Sequence, residues 1–480
     1  MSELILWVHA HGELAFVLFL TANALLTAFV ILLENREPEK SIAWMLALLI
    51  FPLVGFIFYL FFGRDWHKHS YQQKRLNYAL TSRRRQDLER LAQKLLDATP
   101  LERNVRLLDA HMTDADFTEG NRIRVLTDAQ EKYPRLAVAL RGAKHSIDLE
   151  YYIFRDDASG RDVLDILKER ARAGVKVRLL VDGMGSFGFG ARHFHALRAA
   201  GVRCHYFSPL ITLFYFLKAN YRDHRKIVVV DDEIAFTGGI NIGDEYLGRS
   251  TRGNWRDTSL ELRGPCVTRF AELFEDAWRK TTGKTHKAEF REPPPFPAGE
   301  RVDVVPSGPD AAWKAIHQQY LALIHGATRR VRIQTPYFIP DEALQNALIQ
   351  SALRGVNVEI MVPRYPDWPY LRWAAQTYFG DLLRAGVRIY EYRTGFLHTK
   401  AVIADDILAS VGTCNVDIRS LRLDFEVNVL VSGGPTVRHL TEDFERDLLQ
   451  CDEVRFAEFI DRSLWQRLLQ SLARLVSPLL

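Results

Sequence analysis

The chemistry of this chain is written in Tyr221 to Asn241, YRDHRKIVVVDDEIAFTGGIN. His224 and Lys226 are followed by Asp231 and then by Gly238-Gly239-Ile240-Asn241. The same grammar returns 174 residues later as His398-Thr399-Lys400, Asp405 and Gly412-Thr413-Cys414-Asn415. One His-x-Lys-x4-Asp is a weak signal, because any basic strand edge can produce it. Two copies with matching downstream Gly and Asn are a strong one. Residues i and i+2 of a strand share a face, so each imidazole should project beside its ammonium. Brought together, two imidazoles and two ammoniums make a cationic pocket suited to a phosphodiester. One imidazole can attack phosphorus while the other protonates the leaving oxygen. Lys226, Lys400, Asn241 and Asn415 would hold the non-bridging oxygens. Asp231 and Asp405 complete the motifs and stand with the His-Lys pairs in the candidate catalytic set. They fall at the far end of the strand, however, where a carboxylate caps or pairs, and a structural role is the better reading.

The elements that position these residues also come twice. From about Arg122, Ala143 to Phe154 matches Ala327 to Phe338, Ala171 to Asp182 matches Ala352 to Pro363, and Ala199 to Tyr206 matches Arg384 to Tyr392. Each copy reads strand, helix, strand, helix, strand, then the motif strand, whose runs IVVV (Ile227 to Val230) and AVIA (Ala401 to Ala404) suit burial. Strands alternating with helices predict the α/β class with mainly parallel sheets. Pro-rich Arg291 to Gly299 separates the copies. The expectation is two α/β/α halves about a pseudo-twofold axis, with one site where they meet. A duplicated Rossmann-like domain is the alternative. Its Gly-rich loop would follow the first strand, where Glu150-Tyr151-Tyr152 and Gln334-Thr335-Pro336 stand instead. Gly183 to Gly188 reads as a turn shaping the pocket wall. A nucleophilic imidazole needs an acceptor on its other ring nitrogen. Asp257, 33 residues after His224, and Glu426, 28 after His398, belong to matching downstream strands and are the candidate acceptors.

The remainder points to a membrane. Leu14 to Leu33 and Ile42 to Phe62 are runs of 20 and 21 residues without charge, each long enough to cross a hydrocarbon core of about 30 Å. They predict a transmembrane hairpin. Seven Lys or Arg in Arg64 to Arg85, against two in Glu34 to Ser41, favour a cytoplasmic catalytic part. Tyr71 to Leu96 and Ser463 to Leu480 have helical apolar periodicity beside arginines; each reads equally as a packed helix or an interfacial one. The first copy carries 11 extra residues before its motif strand, within Phe207 to Asn220. This insertion is apolar, and Phe214, Tyr215 and Phe216 are expected to form a membrane-dipping lip for lipid entry. A net charge of +4 implies no general polyanion affinity. Four cysteines without CxxC spacing argue for reduced, buried thiols.

On these residues the chain resembles the phospholipase D superfamily, with its paired His-Lys-Asp motifs, and in particular bacterial cardiolipin synthases. Trp44 to Gly63, Asp182-Gly183 with Gly185-Ser186, Glu245-Tyr246, Trp255-Arg256-Asp257 and Thr335-Pro336-Tyr337-Phe338 carry the likeness further. The resemblance implies a two-step transfer. His224 attacks the phosphodiester of phosphatidylglycerol and His398 protonates the departing glycerol. His398 then deprotonates a hydroxyl of a second phosphatidylglycerol, which becomes cardiolipin. Asp257 and Glu426 match the superfamily's His-acid pairs. No metal or other cofactor is implied, and no nucleic acid. The implied partners are phosphatidylglycerol, cardiolipin and the lipid bilayer, and the implied location is the bacterial inner membrane. A phospholipase D-type hydrolase, or another phosphatidyltransferase, would use the same residues. The expected organisation is a hairpin (1–63), a basic helical connector (64–120), a first half (121–290), a linker (291–300), a second half (301–456) and an amphipathic tail (457–480).

Overall fold

The computed structural model describes residues 38–59, 89–113, 117–207, 220–250, 253–285, 289–311 and 313–476, with scattered positions between 12 and 31 and residue 63. The chain divides into two compact units, Met1–His69 with Leu210–Asn220, and Ser70–Pro209 with Tyr221–Leu480. The expected lip at Phe214, Tyr215 and Phe216, and most of the expected helix Tyr71 to Leu96, lie outside the described residues.

In the N-terminal unit the second apolar run is not one helix. It forms helices Pro38–Ile50 and Pro52–Phe58. Pro52 lacks an N–H and pushes the preceding residue out of the helical region, so Phe51 (φ −130°, ψ 72°) is the break. Among the described residues, no helix is long and apolar enough to cross a membrane. The two helices meet around Gly55, where a Cβ would lie 2.8 Å from the Ala47 carbonyl oxygen. Ile31, Leu48 and Tyr59 pack together there, while Ile42, Leu46, Leu49, Ile57 and Phe58 stay exposed.

The large unit is built on one sheet. The first half contributes β1 (Thr118–Thr127), β2 (Ser146–Tyr151), β3 (Lys176–Asp182), β4 (Arg203–Phe207), β5 (Lys226–Val230), β6 (Ile234–Gly238), β7 (Trp255–Arg256) and β8 (Thr258–Arg263). The second contributes β9 (Glu300–Ser307), β10 (Arg330–Gln334), β11 (Phe338–Ile339), β12 (Asn357–Pro363), β13 (Arg388–Tyr392), β14 (Phe396–Leu397), β15 (Ala401–Ala404), β16 (Leu408–Gly412), β17 (Val416–Asp417), β18 (Glu426–Ser432) and β19 (Cys451–Glu453). Fifteen of them run in the order β19-β13-β12-β10-β15-β16-β18-β9-β1-β8-β6-β5-β2-β3-β4. Apart from the extra edge strand β19, the order is a palindrome about the antiparallel β1–β9 pair. The halves therefore share one sheet across their pseudo-twofold axis.

The expectation of mainly parallel sheets fails. Within the fifteen-stranded sheet, parallel pairing is confined to β2-β3-β4 and β10-β12-β13, where helices such as Ala158–Arg172 make the crossovers. From β5 and β15 inward every neighbour is antiparallel, and short turns join β5 to β6 and β15 to β16. The sequence alternation stops at the motif strands, so the βαβ rule applies only up to them. Ile227 and Val229 face a central core shared by both halves, and Val228 and Val230 face the first-half core. That two-sided burial explains an unbroken apolar run.

Helix Pro100–Thr113, assigned by sequence to the connector, packs through Leu101 and Val105 into the second-half core, with Arg106 paired to Asp303. The tail helix Leu464–Val476 lies on helix Pro369–Arg384 through Gln470 and Ala473. Its Leu464, Trp465, Leu468, Leu472 and Leu475 remain exposed. Cys204, Cys266 and Cys414 are buried thiols and Cys451 is partly exposed.

Candidate active site

β5 opens at Lys226 and β15 at Ala401, so both imidazoles stand just ahead of regular strand. The segments that hold them cross to the other half. β14 pairs in parallel with β7, and Asp223 bridges in parallel to Phe425. The His224 amide donates to the Phe425 carbonyl at 2.9 Å, and the His398 amide to the Arg256 carbonyl at 2.7 Å. Each histidine is thereby delivered to the acid that follows its backbone acceptor. His224 Nδ1 lies 2.9 Å from Glu426 Oε1, and His398 Nδ1 lies 2.6 Å from Asp257 Oδ2. Sequence order places Asp257 after His224 and Glu426 after His398. The structure brings the same acids to the imidazoles, but exchanged between halves. With Nδ1–H donated to a carboxylate, each Nε2 keeps its lone pair for an incoming group.

The expected side-by-side projection of His and Lys is also modified. Lys226 Nζ turns back to donate to its own His224 carbonyl at 2.6 Å, and Lys400 Nζ does the same to that of His398. Both lysines are buried. Burial lowers Lys226 to about 7 and Lys400 to about 8, against the pull of Glu426 and Asp257. Burial, reinforced by Lys226 and Lys400, holds His224 well below the ordinary imidazole value. His398 is pushed to about 3 by burial and Lys400, against Asp257. Both lysines act on both imidazoles, which places the four groups in one site. Burial lifts Glu426 to about 8, against Lys226 and the Thr413 hydroxyl. Burial would lift Asp257 too, but Lys400 and His398 hold it below the ordinary carboxylate value.

The motif aspartates do not reach the site. Asp231 lies five residues beyond Lys226, about 16 Å along an extended strand. Its carboxylate accepts the N–H groups of Lys144, His145 and Ser146 at 2.7 to 2.8 Å. Asp405 does the same for Thr328, Arg329 and Arg330. Asp231-Asp232 and Asp405-Asp406 turn the β5–β6 and β15–β16 hairpins with φ of 54° and 57° in each copy, a region Asp tolerates better than most residues. Both carboxylates thus act as fasteners that tie each hairpin turn to the start of the neighbouring strand.

Asn241 is largely committed. Its Oδ1 takes the Ile153 N–H at 3.1 Å and its Nδ2 donates to the Tyr246 hydroxyl at 2.5 Å. Asn415 lies against Asp417. The sequence reading gave no role to several further residues. Tyr152 packs edge-on to His224 with ring centroids 4.8 Å apart. Trp255, Phe396 and Tyr246 stand 5.3, 5.6 and 5.9 Å from His398. Thr413 donates its hydroxyl to Glu426. Lys132, fully buried on helix Asp128–Gly142, donates to the Ile240 carbonyl at 2.5 Å. A signal for Lys132 was present, since it shares an i, i+4 stripe with Leu136 and Leu140.

A family model described as the PLD-like domain of cardiolipin synthase matches residues 136–278 and 320–448. Another, described as a phospholipase D-nuclease N-terminal region, matches residues 24–64. A cardiolipin synthase of Halalkalibacterium halodurans is 39 % identical over 97 % of this chain and 94 % of its own. A major cardiolipin synthase of Bacillus subtilis is 38 % identical over 96 % of this chain and 98 % of its own. The solved phosphatidylserine synthase of Haemophilus influenzae superposes with a TM-score of 0.58 at 16 % identity, over 78 % of this chain and all of that one, a likeness of fold. The chain belongs to the cardiolipin synthase family of phospholipase D-like proteins.

Proposed function

We propose that the protein transfers a phosphatidyl group from one phosphatidylglycerol to the glycerol hydroxyl of another, giving cardiolipin and glycerol. The observation that carries this reading is the pair of crossed His–acid hydrogen bonds between two buried lysines. In the first step His224 Nε2 attacks phosphorus and the bond to the glycerol oxygen breaks. His398 Nε2–H gives that oxygen its proton. A bound phosphodiester anion and Asp257 both favour the protonated form of His398. In the second step His398 takes the proton of the incoming hydroxyl. The freed oxygen attacks phosphorus and the bond to His224 breaks. Lys226 and Lys400 stabilise charge on the non-bridging oxygens, and Asn415 and the remaining Asn241 N–H would assist.

Two apolar helices with exposed faces in the N-terminal unit, and relatives that are cardiolipin synthases, support attachment to a membrane. A transmembrane hairpin that leaves the catalytic unit on the cytoplasmic side of the inner membrane is the form we favour. The test is purified protein in phosphatidylglycerol vesicles with chromatography of the products. Cardiolipin and glycerol support the synthase. Phosphatidic acid with free glycerol would mean that water is the acceptor and the enzyme a hydrolase.

A further inference from the structure

Two loops outside the mechanism occupy the same place in each half. Gly183 to Phe187 follows β3, and Arg364 to Trp368 follows β12. In the repeat register that sets Asp182 on Pro363, Met184 falls on Tyr365 and Phe187 on Trp368. All four side chains face outward, with 42, 62, 84 and 57 % exposure for Met184, Tyr365, Phe187 and Trp368. An exposed loop tip is usually polar. Large apolar groups at both symmetry-related positions mark a surface with a partner.

The loops lie at the end of the sheet that holds the site. Lys226 pairs with Tyr151, the last residue of β2, and Ala401 with Gln334, the last of β10. The parallel strands β3 and β12 end on that same side. Each loop is fastened to the wall of its own histidine. Ser186 Oγ donates to the Tyr152 carbonyl at 2.9 Å and accepts the Phe154 N–H at 3.0 Å, and Tyr152 packs on His224. Asp367 accepts the Tyr337 hydroxyl at 2.8 Å, and Tyr337 packs in the cluster of Tyr246, Trp255 and Phe396 beside His398. The bases are tied down while the apolar tips project.

We propose that Met184, Phe187, Tyr365 and Trp368 form a lipid-inserting rim that seats the mouth of the site on the bilayer surface. The proposal rests on the phosphatidyl-transfer reading, because a site whose substrate stays in a bilayer makes lipid the fitting partner for its own rim. Tyr365 and Trp368 suit the headgroup level, where an amphipathic ring is half wet, and Phe187 and Met184 suit the acyl boundary.

The test uses the full chain in phosphatidylglycerol vesicles, on a Cys451→Ser background because that thiol is partly exposed. Phe187→Cys, Trp368→Cys and Leu353→Cys are each labelled with a fluorophore and exposed to nitroxide-labelled lipid. Leu353 is 70 % exposed but precedes β12, at the opposite strand ends. Quenching at positions 187 and 368 but not at 353 is expected. Absence of quenching at 187 and 368, or equal quenching at all three, overturns the rim. In the double variant Phe187→Asp/Trp368→Asp, the ratio of the rate on vesicles to the rate on dissolved short-chain phosphatidylglycerol should fall at least tenfold. Leu353→Asp should leave that ratio unchanged. Equal loss on both substrates with a lowered melting temperature would instead make the loops structural. If the unaltered enzyme transfers from neither substrate, the functional reading fails, and the quenching result still decides the rim.

Discussion

Around His398 the protein is aromatic; around His224 it is polar. Trp255, Phe396 and Tyr246 crowd the His398 ring. Among the described residues the His224 ring packs on one aromatic side chain, Tyr152, beside a network of Asp182, Arg222, Arg419 and Asp424. The acids differ as well. Asp257 is held ionised by Lys400 and His398, whereas burial lifts Glu426 to about 8. One residue before each motif cysteine or isoleucine, the copies diverge in size. Gly239 leaves room for Asp257, since a Cβ there would lie 2.1 Å from Asp257 Oδ1, and Thr413 at the matching position donates to Glu426. An ionised acid on Nδ1 stabilises an imidazolium, which suits the group that gives and takes a proton. A largely neutral acid leaves His224 an uncharged imidazole, which suits a nucleophile. Duplication supplied two equivalent histidines, and their divergent surroundings support the different work proposed for each.

The largest test of that contrast is removal of the rings. His224→Ala and His398→Ala should each lower transfer by about three to six orders of magnitude, as loss of a nucleophile or its partner does elsewhere. The covalent phosphopeptide should map to His224 and persist, slowly formed, in His398→Ala. A phosphopeptide around His398 alone would reverse the roles.

Next come the crossed acids. Asp257→Asn should cost roughly 10²- to 10⁴-fold in kcat, by analogy with the acid of a His–Asp pair. Glu426→Gln should cost less, because Glu426 is already partly protonated near neutrality. Gly239→Ala should behave like Asp257→Asn, since the new methyl group displaces that carboxylate. Combining Asp257→Asn with His398→Ala should add little to the single loss, whereas combining it with His224→Ala should not show that saturation. The opposite coupling would uncross the pairs.

A smaller effect comes from pH. Burial has brought Lys226 and Lys400 to about 7 and 8, so their charges are lost as pH rises through that range. The value of kcat/KM should therefore fall on the alkaline side. Lys226→Arg, whose guanidinium stays charged, should move that limb upward whatever it does to the maximum. A limb that stays in place would belong to another group.

The smallest effect on chemistry is expected from the fasteners. Asp231→Ala and Asp405→Ala should destabilise by about 1–3 kcal/mol, from backbone N–H groups left without an acceptor, while kcat stays within about threefold. A thousandfold loss of kcat with an unchanged melting temperature would return these aspartates to the reaction.

The chain by itself determined the repeat, the two candidate His-Lys pairs, the two acids that lie against the imidazoles, and the secondary structure up to each motif strand. Those features are local. They follow from side-chain type, period and spacing, and a duplicated pattern states them twice. Tyr152 and Phe396 gave little local signal, because their roles come from what packs beside them. Only the tertiary structure decided which acid serves which histidine. That choice depends on β14 and Asp223 pairing with strands more than a hundred residues away in the other half, β7 and the segment at Phe425. Sequence distance favours the acid of the same half, and backbone hydrogen bonding across the pseudo-twofold axis overrules it. The joining of the halves into one sheet is likewise a tertiary choice, made through the antiparallel β1–β9 pair.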